Sequence, residues 1–253
     1  MPRFTNDGLG LYYEVHGRGS PVVMLHGGAV TFAANYGLCG WIERFTPRDI
    51  QVVGLDARGH GKSDAPRDGS GSGIAVLSRD VIALLDHLGI ERVAVVGYSI
   101  GSAIALHALH TYPGRFRAGA LVATGDGLIG IGPLTFPAIL PFLAETLERP
   151  EYPDDLPPHA AMYWTFATQM AGDREAVAKM VQGDFTPCTP EEAGSVQAPV
   201  LVVSAENDLV LGTGARLAEA LPNGRYVEIA GADHFSLAVD EAVQNEVAGF
   251  LAP

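Results

Sequence analysis

The sequence predicts an α/β fold, with a mostly parallel central sheet flanked by helices on both faces. Two observations carry this. Short apolar, β-branched runs recur along the chain, as strands buried on both faces require. Helix-compatible stretches alternate with those runs, and alternation of this kind builds parallel crossovers. With 253 residues, 47% of them hydrophobic, the chain can fill one large core.

Leu11 to Val15 alternates like an antiparallel strand and ends in the turn Gly17-Arg18-Gly19-Ser20. Pro21 to Leu25 is a short buried strand that stops at His26-Gly27-Gly28. Ile50 to Leu55 is another, stopping at Asp56-Ala57-Arg58-Gly59-His60-Gly61-Lys62-Ser63. Pro66 to Gly73 reads as a flexible stretch. Ile74, Leu77, Val81, Leu84, Leu85 and Leu88 then share one face of an amphipathic helix. Glu91 to Val96 is a strand, and a helix of small residues follows from Gly101 to Leu109, closed by Pro113. Ala118–Ala123, Ala198–Val203 and Arg225–Ile229 supply the remaining strands, with a helix from Gly214 to Ala220 between the last two.

Residues from about 127 to 195 break that rhythm. They are rich in proline, hold no strand-like run, and contain helical segments over Pro137–Arg149, Pro158–Ala171 and Asp173–Gln182. Thr189-Pro190-Glu191-Glu192 opens a further helix as a capping box with proline at the first helical position. The chain thus divides into a core, 1–126 and 196–253, and a helical cap inserted between core strands, 127–195. Phe136, Phe142, Met162, Tyr163, Trp164 and Phe166 in the cap are candidates for an apolar pocket wall. Packing of the cap onto the core is the competing role for each.

The net charge of −13 argues against nucleic acid and against anionic membrane surfaces as partners. Cys39 and Cys188 have no metal-ligand spacing and read as two free thiols, so neither a disulfide scaffold nor a metal site is expected. The first residues lack an apolar signal region and no run approaches a membrane span, which reads as a cytoplasmic protein. Nothing suggests a nucleotide, flavin or other cofactor, and the sequence is silent on oligomeric state.

Ser99 lies in Gly97-Tyr98-Ser99-Ile100-Gly101, between a strand and a helix. A serine in such a turn takes a strained backbone conformation that pushes its hydroxyl clear of the sheet. The helix starting beneath it offers free N–H groups and its positive dipole end to any oxyanion formed there. The flanking glycines are needed because a Cβ would collide with the neighbouring strand or helix. A serine hydroxyl needs a base, and the base an orienting carboxylate. His234 follows the last strand and Asp208 the one before it, so both fall on loops at the edge where Ser99 lies. Asp126 also follows a core strand and competes for the carboxylate role. His26 and His60 read as loop-holding, His107 and His110 as structural, Asp56 and Arg58 as a paired support for their loop, and Glu206 and Asp233 as solvated.

With these residues in place, the chain resembles the α/β-hydrolase-fold proteins nearly end to end. The resemblance rests on His26-Gly27-Gly28, the loop from Gly54 to Ser63, Gly97-Tyr98-Ser99-Ile100-Gly101, Asp208 and Asp233-His234-Phe235. It implies Ser99 as nucleophile, His234 as base, Asp208 as orienting acid, and the N–H groups of Gly28 and Ile100 as the oxyanion hole. Ala205 and Ala232-Asp233 depart from the usual pattern, where glycines are common. The implied activity is hydrolysis of a carboxylic ester, lactone or thioester in a small acyl substrate. Alternatives within the resemblance are C–C bond hydrolysis, cofactor-free haloperoxidase or perhydrolase chemistry, a hydrolase-fold receptor, and a biosynthetic cyclase with little turnover. A serine at position 99 argues against the aspartate-nucleophile branches.

Overall fold

Eight strands form one sheet in the order β1-β2-β4-β3-β5-β6-β7-β8. They are β1 (Arg3–Asn6), β2 (Leu9–His16), β3 (Ser20–Leu25), β4 (Ile50–Leu55), β5 (Val93–Tyr98), β6 (Phe116–Val122), β7 (Val200–Ala205) and β8 (Gly224–Ile229). The computed structural model describes residues 2–66, 72–152 and 155–253, so most of the stretch from Pro66 to Gly73 lies outside the described residues. β1 and β2 join the sheet antiparallel, and every later pairing is parallel. The sheet is therefore the predicted one, with an antiparallel edge of two strands.

The strands are buried on both faces because helices cover both. Helices α1 (Trp41–Phe45) and α9 (Glu241–Leu251) cover one face, and α2 (Ile74–His87), α3 (Ile100–Thr111) and α8 (Ala215–Ala220) the other. Alternate residues divide accordingly. Val22, Met24, Val52 and Val96 pack with Trp41, Phe45 and Val247, while Val23, Leu25, Val53 and Val95 pack with Leu84, Ile104 and Leu217. Each such fully buried aliphatic side chain contributes about 1.5–3 kcal/mol by leaving water.

Between β6 and β7 come α4 (Phe136–Glu148), α5 (Pro158–Gln169), α6 (Arg174–Val181) and α7 (Pro190–Gly194), and no strand among the described residues. The capping box of α7 forms: Glu192 N–H donates to Thr189 Oγ1 (3.1 Å) and Thr189 N–H to Glu192 Oε2 (2.8 Å). Leu147, Ala167, Ala171 and Val177 form a small apolar cluster with Ala29, which seats these helices on the loop after β3. Asp56 and Arg58 do not pair, contrary to expectation. Arg58 is buried and takes the buried carboxylate of Asp80 on α2, donating through Nε (2.7 Å) and Nη2 (2.5 Å). A buried guanidinium requires a buried counter-charge, and Asp80 supplies it. Asp56 instead accepts from Phe32 N–H (2.9 Å) and Lys62 N–H (3.1 Å).

Candidate active site

Ser99 sits between β5 and α3 with φ 54° and ψ −118°, a conformation that L-residues rarely adopt. The turn is closed by Ser99 N–H donating to Val122 O (2.9 Å) and Ser102 N–H to Ser99 O (2.8 Å). A Cβ at Gly97 would run into the Gly101 carbonyl, and one at Gly101 into the Leu25 carbonyl. Both obstacles are backbone, so only glycine admits this tight passage of helix over strand.

The loop after β8 carries His234, and the loop after β7 carries Asp208. His234 Nε2 lies 3.0 Å from Ser99 Oγ, and His234 Nδ1 lies 2.8 Å from Asp208 Oδ2. The other Asp208 oxygen accepts from Val210 N–H and Leu211 N–H, each at 2.8 Å. Burial pushes the Asp208 carboxyl up, but the hydrogen bond and charge of His234 and the two N–H groups outweigh it and hold it below the ordinary value. An ionised Asp208 makes Nδ1 the protonated nitrogen and leaves Nε2 free to accept from Ser99. Tyr98 Oη donates to the His234 carbonyl (2.5 Å), which ties the histidine loop to the strand that delivers Ser99.

Asp126 goes elsewhere. Its Oδ1 accepts from Leu217 N–H (3.0 Å), in the first turn of α8, and its own N–H donates to Thr213 O (2.7 Å). It serves a helix terminus rather than a histidine.

Gly28 and Ile100 face each other across the site. A Cβ on Gly28 would meet the Ile100 side chain and come within 2.9 Å of Tyr163 Oη. Ile100 N–H opens α3, where the first N–H groups have no helical acceptor. The N–H of Gly28 belongs to the peptide whose carbonyl, Gly27 O, lies 2.7 Å from His26 Nδ1. Ala57 N–H donates to His26 Nε2 (3.0 Å), so Nδ1 carries the ring proton and donates to that carbonyl. His26 thereby sets the plane in which Gly28 N–H points. Complete burial, with His60 beside it, pushes the His26 ring down to about 3, so it stays neutral as this arrangement needs. His60 Nε2 (2.8 Å) and Tyr163 Oη (3.2 Å) both reach the Gly28 carbonyl. Both histidines hold loops, as the sequence suggested.

A cavity of about 250 Å³ opens over Ser99 and His234. Its walls are mostly apolar, with Ala29, Tyr163, Phe166, Met170 and Phe235 among them. Of the sequence candidates, the structure brings Tyr163 and Phe166 to this wall. Phe136 is buried against Phe185, and Phe142 is 41% exposed. Trp164 stacks edge-on with Tyr152 under Arg174. None of these three lines the cavity: Phe136 and Phe142 belong to α4, and on α5 the turn that points Tyr163 and Phe166 inward points Trp164 sideways. Sequence reasoning missed Asn35, Leu38, Met170 and Val239, which also line it. Leu38 and Val239 are 85% and 61% exposed at its mouth, an apolar exposure that sequence alone does not mark.

A model of the alpha/beta hydrolase fold matches residues 20–181. The chain belongs to this family. A protein of Azorhizobium caulinodans provisionally named a carbamate hydrolase is 26% identical over 98% of this chain and 96% of its own length. A bifunctional esterase/perhydrolase of Acinetobacter calcoaceticus is 25% identical over 91% of each chain. The solved structure of an N-acyl homoserine lactone degrading enzyme superposes with a TM-score of 0.76 at 27% identity, covering 98% of this chain and 99% of the other. Membership in the α/β-hydrolase family supports hydrolase activity and leaves the scissile bond open. Among the described residues of this α/β hydrolase, no group of His, Cys, Asp and Glu is arranged to hold a metal ion. No helix among them is long and apolar enough to cross a membrane.

Proposed function

We propose that this α/β hydrolase cleaves a carboxylic ester, lactone or thioester through an acyl-enzyme on Ser99. The observation that carries the reading is the unbroken chain from Ser99 Oγ through His234 (3.0 Å, then 2.8 Å) to Asp208. Ser99 Oγ attacks the carbonyl carbon while His234 Nε2 takes its proton. The N–H groups of Gly28 and Ile100 receive the negative charge that develops on the carbonyl oxygen. His234 returns the proton to the leaving alcohol or thiol, and the C–O or C–S bond breaks. Water then gives a proton to His234, attacks the acyl carbon and releases the acid with Ser99 restored.

Residues 127–195 act in this reading as a cap whose α5 forms one wall of the acyl pocket. The apolar walls favour an uncharged acyl group, and exposed Leu38 and Val239 extend an apolar path from the mouth for a longer chain. Names borne by relatives, an esterase/perhydrolase and a lactone-degrading enzyme, agree with acyl transfer to water. Labelling with a fluorophosphonate tests it. Modification at Ser99, abolished in Ser99→Ala and accompanied by turnover of short p-nitrophenyl esters, is the expected result. An unlabelled, folded protein with no ester turnover would overturn it.

A further inference from the structure

One polar group in the cavity is used by none of the steps above. Asn35 lies in the helical turn Ala33–Gly37 after β3, lines the cavity, and is 5% exposed. Its amide orientation is fixed, because Gly27 N–H donates to Oδ1 (2.9 Å) and only an oxygen can accept there. The Nδ2 group therefore points away from that bond, and its two protons have no acceptor among the described residues. It is not sealed off either. The unpartnered side-chain atoms without exposed surface, among the described residues, are Arg117 Nε and Thr124 Oγ1. The small surface that Asn35 retains is thus the surface it shows to the cavity.

The other side-chain donors on this wall, Ser99 and His234 aside, are committed. Tyr98 Oη donates to His234 O (2.5 Å), Tyr163 Oη to Gly28 O (3.2 Å), and Cys39 Sγ to Ala34 O (3.4 Å). Asn35 is also close to the reacting centre. The point that a Cβ on Gly27 would occupy lies 3.7 Å from Asn35 Oδ1 and 3.7 Å from Ser99 Cβ. Gly27 is the residue next to the Gly28 N–H that faces the carbonyl oxygen. A donor fixed by its own backbone bond, buried in apolar surroundings, selects for the ligand atom that satisfies it and against a ligand that leaves it bare.

We propose that Asn35 is a specificity residue whose Nδ2 receives a hydrogen-bond-accepting oxygen of the substrate's acyl group. That oxygen, a keto, ether or amide oxygen, lies two or three bonds from the scissile carbonyl carbon. The preferred substrate is then an uncharged, otherwise apolar ester or lactone oxygenated near its carbonyl, rather than a plain alkanoate. This deepens the proposed hydrolysis and rests on that reading for the scissile bond.

Binding to the Ser99→Ala protein, where esters persist, tests the inference without turnover. The probes are methyl hexanoate and two isosteric ethers, methyl propoxyacetate and methyl 3-ethoxypropanoate, with Kd measured by titration calorimetry. At least one ether binds as tightly as methyl hexanoate or more tightly. Its affinity relative to hexanoate falls about tenfold when Asn35→Leu is added. Asn35→Asp at pH 8 gives a second variant, keeping an acceptor for Gly27 N–H and removing the donors. A fall of threefold or more in either folded variant supports the assignment. A smaller fall in both, or no measurable binding of either ether, overturns it. If neither variant folds, the Ser99→Ala protein decides alone: both ethers binding more weakly than hexanoate, as an unpaired oxygen in an apolar cavity must, overturns it. Wild-type turnover of methyl hexanoate reports separately on ester hydrolysis, so absent turnover with an intact Asn35 effect overturns only the ester reading.

Discussion

Replacing Asp208 by asparagine removes one charge and reverses the proton arrangement of the site. In the wild type, Asp208 Oδ1 accepts from Val210 and Leu211 N–H, and Oδ2 faces His234 Nδ1 at 2.8 Å. Asparagine can satisfy the two backbone donors only by turning its oxygen toward them. Its NH2 group then occupies the position facing His234 Nδ1, which must accept rather than donate. The ring proton moves to Nε2, the nitrogen 3.0 Å from Ser99 Oγ, and the base can no longer take the serine proton. The analogous change in trypsin-type proteases lowers kcat by about 10⁴, equivalent to about 5.5 kcal/mol of barrier. A loss of that order is expected here in kcat for a short p-nitrophenyl ester, with the fold intact by circular dichroism. Asp126→Asn is the control: Asp126 serves Leu217 N–H, a bond asparagine also makes, so kcat should change less than about threefold. A folded Asp208→Asn enzyme retaining more than a tenth of wild-type kcat, or an Asp126→Asn enzyme falling as far, would refute this reasoning.

Other consequences are separately measurable. The His26 ring titrates near 6.5 in the unfolded chain and at about 3 in the fold, so between those values the unfolded state alone takes the proton. Stability therefore falls as pH drops from 6.5 toward 3, by up to about 1.4 kcal/mol per pH unit from this ring. Urea titrations over that range check it, and a His26→Gln slope as steep as wild type would count against it. Phe166→Ala, which removes a cavity wall and its edge contact with Phe235, should shift kcat/KM across a series of acyl chain lengths, whereas Trp164→Ala and Phe142→Ala should leave the ranking alone. Equal scaling of every substrate by Phe166→Ala would make that wall merely structural. Gly101→Ala drives a Cβ into the Leu25 carbonyl and should lower stability by about 1–3 kcal/mol with loss of activity, read from thermal unfolding and ester turnover.

The positions of the three residues proposed as a triad were legible because their signals are local. An apolar strand, a glycine-flanked serine and a small-residue helix announce the turn at Ser99, and strand ends announce the loops of Asp208 and His234. The choice between Asp208 and Asp126 was not local. Both follow core strands, and only the fold directs Asp126 Oδ1 to the first turn of α8. The cavity was less legible for a related reason. Its wall depends on the rotation of α5, which turns Tyr163 and Phe166 inward and Trp164 toward Tyr152. Asn35, Leu38 and Val239 come from loops and turns with no periodicity to read. Among the elements, β1 and α1 are four and five residues long, too short to establish a pattern. α9 does carry one, with Val243, Val247 and Leu251 at helical spacing behind the Asp240 cap.

In the proposed hydrolysis, Ser99 carries the acyl group between two half-reactions. The most direct measurement is intact-mass spectrometry of enzyme quenched in acid during turnover of a p-nitrophenyl ester. The expected result is a mass increase equal to the acyl group, located on the peptide containing Ser99 and absent in Ser99→Ala. An acyl group carried on a residue other than Ser99, or turnover in folded Ser99→Ala above about a tenth of the wild-type rate, would contradict it.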